Sequence, residues 1–160
     1  MATLLAVVVL GGGLVIRYAF YTSPDQAAEE HAPRITDTTF ERSAVAVCQQ
    51  YVKVFNTDTT LGDQPTQQQS GAFLETIAST FDSMVTKLKA IPVAPADQAA
   101  VSRWLAQWDA YDAFGHQYAA AVSKGEERDL VGQNSVSQGN LRRQRNAFAA
   151  ANHMRSCDFT

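Results

Sequence analysis

The stretch LETIASTFDSMVTKLK, Leu74 to Lys89, shows the helical period of this chain most clearly. Its apolar residues recur at intervals of three and four, which places them on one face of an α-helix. They are Leu74, Ile77, Phe81, Met84, Val85 and Leu88. Lys87 and Lys89 favour the dipole in the last turn, and the prolines of residues 92–95 end the helix. No alternating strand pattern competes along the chain, so the sequence predicts an all-α fold.

Three further stretches with this period flank the first. The helix before it opens with Thr38-Thr39-Phe40-Glu41, which predicts a capping box of threonine and glutamate. The helix after it starts near Asp97 and ends at the C-cap signal Lys124-Gly125. The last helix is weakest at its start and ends at Asn152. Four amphipathic helices with short connections predict an antiparallel four-helix bundle.

The two cysteines, Cys48 and Cys157, lack the spacing of a metal or redox site. Cys48 falls on the apolar stripe of the helix that begins at Thr38. In an up-down-up-down bundle the tail after the last helix returns along that helix, so we expect a Cys48–Cys157 disulfide in an oxidising compartment. The alternative is two unpaired structural thiols.

The most apolar part of the chain is its N-terminal segment, which contains VVVLGGGLVIR, Val7 to Arg17. Continued to residue 21, this segment reaches about the 20 residues that a membrane span requires, and Arg17 can extend to the headgroups. We therefore predict an uncleaved transmembrane helix over residues 1–22. The alternatives are a cleaved signal peptide, for which a basic start and a small-residue cleavage site are missing, and a buried helix of a soluble domain.

A single-pass plasma-membrane topology follows from this helix. We predict a linker over residues 23–37 and an extracytoplasmic helical domain over residues 38–160. Small residues let membrane helices approach one another closely. The candidates for such packing are Ala6, Gly11, Gly12 and Gly13.

The ending AAANHMRSC, Ala149 to Cys157, carries a resemblance. Together with the short apolar N-terminal segment, a cysteine in the first outer helix and a proline-punctuated middle, it resembles small uncharacterised cell-envelope proteins of actinobacteria. Their ending is similar to an alanine-rich helix, a glycine turn, an apolar residue, two residues and a cysteine. Asn152 stands where that glycine would be, and asparagine also tolerates the left-handed C-cap conformation. The resemblance implies an envelope location and a disulfide rather than an activity.

One polar group has the spacing of a metal site. Asp109, Asp112 and His116 are three and four residues apart, so a helix places them on one face, where they are weak candidates to bind a divalent metal. A solvated polar face is the alternative. The chain has no GxSxG, HExxH or glycine-rich phosphate motif, and we therefore predict no enzyme, no catalytic residue and no cofactor.

Two other groups are candidates for binding. Five aromatic residues could line a ligand pocket or form the core: Trp104, Trp108, Tyr111, Phe114 and Tyr118. Arg142, Arg143 and Arg145, with Arg155, are candidates to contact an acidic partner or lipid headgroups, or else form a solvated face. A net charge of -3 argues against nucleic acid as a partner.

These observations favour a non-catalytic accessory or interaction subunit of a larger plasma-membrane complex. The partners would be an integral membrane protein complex, such as a respiratory supercomplex or envelope lipid transporter, and membrane lipids. The first alternative is a solitary membrane-tethered protein that binds a lipid, haem or a small molecule. The second is a metal-dependent enzyme.

Overall fold

In a computed structural model of the chain, the described residues are 6–10, 13–17, 24–57 and 65–159. Most of these residues are helical. The five α-helices of the described ranges are α1 (Pro24–His31), α2 (Thr38–Thr57), α3 (Gln67–Lys89), α4 (Gln98–Lys124) and α5 (Glu127–Ala151). A short 3-10 helix, Arg155–Cys157, follows α5. The predicted helices correspond to α2 to α5, and α1 is an addition that lies in the predicted linker.

Two of the predicted helix signals are confirmed and one is wrong. α4 ends at Gly125, whose φ of 75° is the left-handed conformation that glycine adopts without strain. α2 is not capped by the predicted box at Thr38, because the carboxylate of Asp37 accepts the amides of Thr39 and Phe40 at 3.1 and 3.0 Å. α5 ends at Asn152 as predicted, but the left-handed residue is His153, with φ 57°.

The segment predicted as a linker is packed against the bundle. α1 contacts α5, and the extended residues after α1 bind two buried side chains. Asn152 accepts the amide of Ile35 at 2.8 Å and donates to the carbonyl of Pro33 at 2.9 Å. Asp97 accepts the amide and the hydroxyl of Thr36 at 2.9 and 3.0 Å. These bonds satisfy both buried polar groups and fix the entry of the chain into α2.

The core lies where α2, α3, α4 and the end of α5 meet the C-terminal tail. The predicted disulfide is confirmed, because Cys48 on α2 is bonded to Cys157 of the tail and both residues are 0% exposed. The largest buried apolar side chains are Phe40, Met84, Leu88, Val101, Trp104, Trp108 and Met154. The sequence therefore specifies a helical bundle closed by a covalent link between its first core helix and its tail.

The N-terminal segment differs from the prediction. Residues Ala6–Leu10 and Gly13–Arg17 form two antiparallel strands, β1 and β2, in which Ala6 pairs with Arg17. Valine and isoleucine are β-branched, favour strands and have reduced helix propensity, which accounts for the difference. Within the described part of the chain we find no helix with the length and apolar character needed to cross a membrane.

The predicted packing face of small residues depended on an N-terminal helix, and it is wrong for the same reason as that helix. Ala6 and Gly13 lie in strands and therefore do not share a helical face. Gly11 and Gly12, the other two members of that prediction, lie outside the described residues.

Candidate functional site

A cluster of ionisable side chains lies between α3 and α4. α3 contributes Glu75 and Asp82, which are seven residues, or about two helical turns, apart and therefore lie on the same side. α4 contributes Asp112 and His116, which are one turn apart. We call these four side chains the carboxylate–imidazole cluster.

A close approach of the two helices holds this cluster. A Cβ atom at Gly71 of α3 would lie 1.8 Å from the hydroxyl of Ser123 and 2.8 Å from the carbonyl oxygen of Ala119 on α4. Only a residue without a side chain fits there. The axes of α3 and α4 are thus brought together by a glycine, which sets how their polar residues align.

The imidazole of His116 connects the carboxylates. Its Nδ1 atom lies 2.8 Å from Oε1 of Glu75. On the other side of the ring, Nε2 lies 3.1 Å from Oδ2 of Asp82 and 3.9 Å from Oδ2 of Asp112. The ring is one-third exposed, whereas Asp112 is only 8% exposed. Asp112 thus forms the buried floor of the cluster, and Glu75 and Asp82 form its solvent-facing rim.

The pKa values in the cluster are displaced in opposite directions. Burial, with the hydrogen bond and negative charge of Asp82, raises the pKa of the Asp112 carboxyl to about 7. The hydrogen bond from Asp112 lowers the pKa of Asp82. Burial would lower the pKa of His116, but its bonds to Glu75 and Asp82 outweigh burial and raise it. The cluster therefore contains a carboxyl group that titrates near neutral pH.

The predicted metal candidates are partly brought together. Asp112 and His116 join the cluster as their spacing predicts, but Asp109 turns away and pairs with Lys89 at 2.6 Å. Glu75 and Asp82 were not identified from the sequence, because the relative position of two helices cannot be read from the spacing within either helix. The available signal was their seven-residue spacing beside the apolar stripe of α3.

The predicted arginine group is divided by the structure. Arg142 and Arg143 line a surface pocket of about 240 Å³ together with Arg155 of the tail. Asp25 and Glu29 of α1 line the same pocket, and Glu29 pairs with Arg155 at 3.2 Å. We call this feature the arginine pocket.

Arg145 is the exception, and its prediction as a surface contact is wrong. It is 0% exposed, and its guanidinium lies 3.9 Å from the ring centre of Trp108 and 4.2 Å from that of Tyr111. Burial lowers its pKa to about 10. Its Nη2 atom donates to the carbonyl of Phe159, while Nε and Nη1 have no hydrogen-bond partner. Stacking on aromatic faces, rather than an ion pair, holds this charge in the core.

Three of the candidate aromatic residues belong to the core. Trp104 and Trp108 are at most 1% exposed, and Tyr111 packs against this core. Phe81 stacks on Trp108 with ring centres 5.8 Å apart, and Trp104 on Phe148 at 5.4 Å. The remaining two, Phe114 and Tyr118, are half-buried and stack on each other at 6.2 Å. Aromatic rings packed on each other supply stability.

Comparison with known proteins assigns no family. The chain matches no protein-family model, no curated protein and no solved structure.

Proposed function

We propose that this chain is a non-catalytic accessory or interaction subunit of a larger plasma-membrane complex. Its apolar N-terminal segment would associate with the membrane, and its helical bundle would lie on the extracytoplasmic side against the outer face of the partner. The observation that carries the proposal is the position of the arginine pocket beside α1. Within the described residues, α1 is the first helix to follow the apolar segment.

The short distance along the chain limits where the pocket can lie. Asp25, which lines the pocket, follows Tyr21 by four residues. An extended chain of that length spans at most about 14 Å. If the apolar segment is held in the membrane, the arginine pocket is therefore close to the headgroups and to the membrane-proximal surface of a partner.

The charges of the pocket support contact with an acidic group. Glu29 already pairs with Arg155, whereas no ion pair involves Arg142 or Arg143 in the described part of the chain. Arg143 donates to the side chain of Asn140, which is neutral. Guanidinium groups bind carboxylates and phosphates through two parallel hydrogen bonds. Arg142 and Arg143 are thus the residues that we expect to contact the partner.

The disulfide supports the proposed side of the membrane. Disulfides form and persist in oxidising compartments and are rare in the cytosol. The bond between Cys48 and Cys157 lies in the core, where both residues are fully buried. This proposal rests on the apolar character of residues 1–22.

Co-purification tests the proposal. The full chain, with an affinity tag joined by a flexible linker after residue 160, is purified from membranes in a mild detergent. We expect a stoichiometric membrane protein partner, and we expect Arg142→Glu combined with Arg143→Glu to release it. Arg128→Glu is the matched control, because Arg128 is an exposed arginine near the other end of α5. Purification of the chain alone, or retention of the partner by the double variant, would contradict the proposal.

A further inference from the structure

We propose that Asp82, Asp112 and His116 bind a divalent cation of the zinc class. Glu75 would orient the imidazole from the opposite side of the ring. This inference concerns a site separate from the arginine pocket and does not depend on the proposed function.

The positions of the ligand atoms fit a small cation. One ligand atom from each of the three residues lies within 4.8 Å of the other two. Nε2 of His116 lies 3.1 Å from the Asp82 carboxylate and 3.9 Å from that of Asp112. In a tetrahedral zinc site with bonds of about 2.0 to 2.1 Å, neighbouring ligand atoms are about 3.3 Å apart. The three atoms are therefore near coordinating positions, and rotamer adjustments that shorten the longer separations would complete the site.

The fourth residue has the geometry of an outer-shell ligand. A histidine that binds a metal through one nitrogen usually donates its other N–H to a carboxylate, which fixes the tautomer and the ring orientation. Glu75 lies 2.8 Å from Nδ1 of His116 and thus accepts that proton. Nε2 lies on the opposite side of the ring, facing Asp82 and Asp112, and an incoming cation would displace its proton and bind its lone pair.

A buried atom without a partner points to a missing ligand. Asp112 is 8% exposed, and its Oδ1 atom is buried without a hydrogen-bond donor. An unsatisfied buried carboxylate oxygen is costly, and a cation bound by both oxygens of Asp112 would remove that cost. Two other buried polar residues, Asp97 and Asn152, form hydrogen bonds with the backbone, and neither has a buried side-chain atom without a partner. Asp112 therefore differs from the residues whose burial is structural.

The ligand types select the class of cation. Calcium and magnesium prefer oxygen ligands, whereas an imidazole with carboxylates suits zinc and neighbouring transition metals. The side chain of Asp82 is 59% exposed and that of His116 is 32% exposed, so water can reach the cation and complete its coordination. Both cysteines are in the disulfide, and no thiol competes for the metal.

Calorimetric titration of the full, disulfide-bonded chain with zinc ions tests the site. We expect one zinc ion per chain, at least a tenfold loss of affinity in Asp112→Asn, and a loss of about 10 to 100-fold in Glu75→Gln. Asp109→Asn is the matched control on the same helix, because Asp109 pairs with Lys89 and not with the cluster. Its affinity should stay within about twofold of the unmodified chain, a margin smaller than the outer-shell effect.

Two further measurements keep the test decisive if Asp112→Asn disturbs folding. Asp82→Asn changes an exposed side chain, so it should weaken zinc binding tenfold or more while the circular dichroism spectrum stays unchanged. Cobalt ions bound at the site should give visible absorption bands that His116→Gln abolishes. The proposal is overturned if the chain binds no zinc at millimolar concentration. It is equally overturned if Asp109→Asn weakens binding as much as Asp82→Asn.

Discussion

Reduction of the bond between Cys48 and Cys157 should lower the free energy of unfolding by about 5 kcal/mol. The two residues are 109 positions apart, so the bond closes almost the whole helical domain into one loop. In the chain-entropy model, a loop of about 110 residues costs the unfolded state about 16 cal/mol/K, which is about 4.8 kcal/mol at 25 °C. This is about a third or more of the roughly 5 to 15 kcal/mol that stabilises a typical domain.

The packing around the bond explains why we expect most of that value. Cys48, Met154 and Cys157 are all 0% exposed, and the ring of Phe159 contacts Phe55 and Phe81 at 5.5 Å. The tail is therefore held against α2 by apolar contacts as well as by the bond. Those contacts keep the two sulfur atoms together in the folded state, so reduction acts mainly by releasing the unfolded chain.

Urea unfolding followed by tryptophan fluorescence measures the effect, since Trp104 and Trp108 are buried. The disulfide-bonded chain is compared with the same chain under reductant, where the side-chain volumes are unchanged. In thermal unfolding, the melting temperature of the reduced chain should be about 10 to 20 °C lower than that of the disulfide-bonded chain. Reductant should not affect the Cys48→Ala, Cys157→Ala double variant. A loss below about 1 kcal/mol on reduction would refute the reasoning, because it would mean that the unfolded chain gains little freedom from an open loop.

Three other changes test the fold. Gly71→Ala should lower the free energy of unfolding by about 1 to 3 kcal/mol through overpacking. Gly115→Ala should be tolerated, because its Cβ would meet Ala78 at 3.5 Å, an ordinary contact distance. Urea unfolding compares the free energies of the two variants. Asp37→Ala should lower the urea midpoint at pH 7. Amide donors lower the pKa of the Asp37 carboxyl below its usual 3.8. The stabilisation by this carboxylate is therefore present above pH 3.8 and is lost as the pH falls through the lowered pKa. The difference in stability between Asp37→Ala and the unmodified chain should therefore shrink in acid. Arg145→Met should match or exceed the unmodified chain in thermal stability, because a buried guanidinium with unpartnered nitrogens is replaced by an apolar side chain. A loss of stability above about 1 kcal/mol would show that aromatic stacking outweighs the desolvation of the charge.

The helices were predictable because the apolar period is local. The stripe from Leu74 to Leu88 and the glycine at position 125 specify α3 and the end of α4 without reference to the rest of the chain. The cap of α2 was not predictable in the same way. Asp37 and Thr38 are both good capping residues, and the choice is made by Asp37 accepting the amide of Ala94 as well as those of α2.

The carboxylate–imidazole cluster was half predictable for a similar reason. The spacing of Asp112 and His116 lies within one helix and is visible in the sequence. Glu75 and Asp82 come from α3, and they reach His116 only because Gly71 allows α3 and α4 to approach. That alignment depends on contacts between residues about 40 positions apart, which no pattern within a single helix contains.

Charged residues that share the helical spacing of an apolar stripe can be recognised in the sequence as candidates for burial, which composition alone does not indicate. Asp112 follows the buried Trp108 by one turn, and Arg145 follows Leu141 and precedes Phe148 at the same helical spacing. Both are buried, and both keep polar atoms without hydrogen-bond partners. The two differ in what surrounds the charge. Arg145 lies between two aromatic faces that stabilise a cation, whereas Asp112 faces another carboxylate and the edge of an imidazole. The guanidinium of Arg145 is itself the cation at the first position, and the proposed divalent cation would supply the positive charge at Asp112.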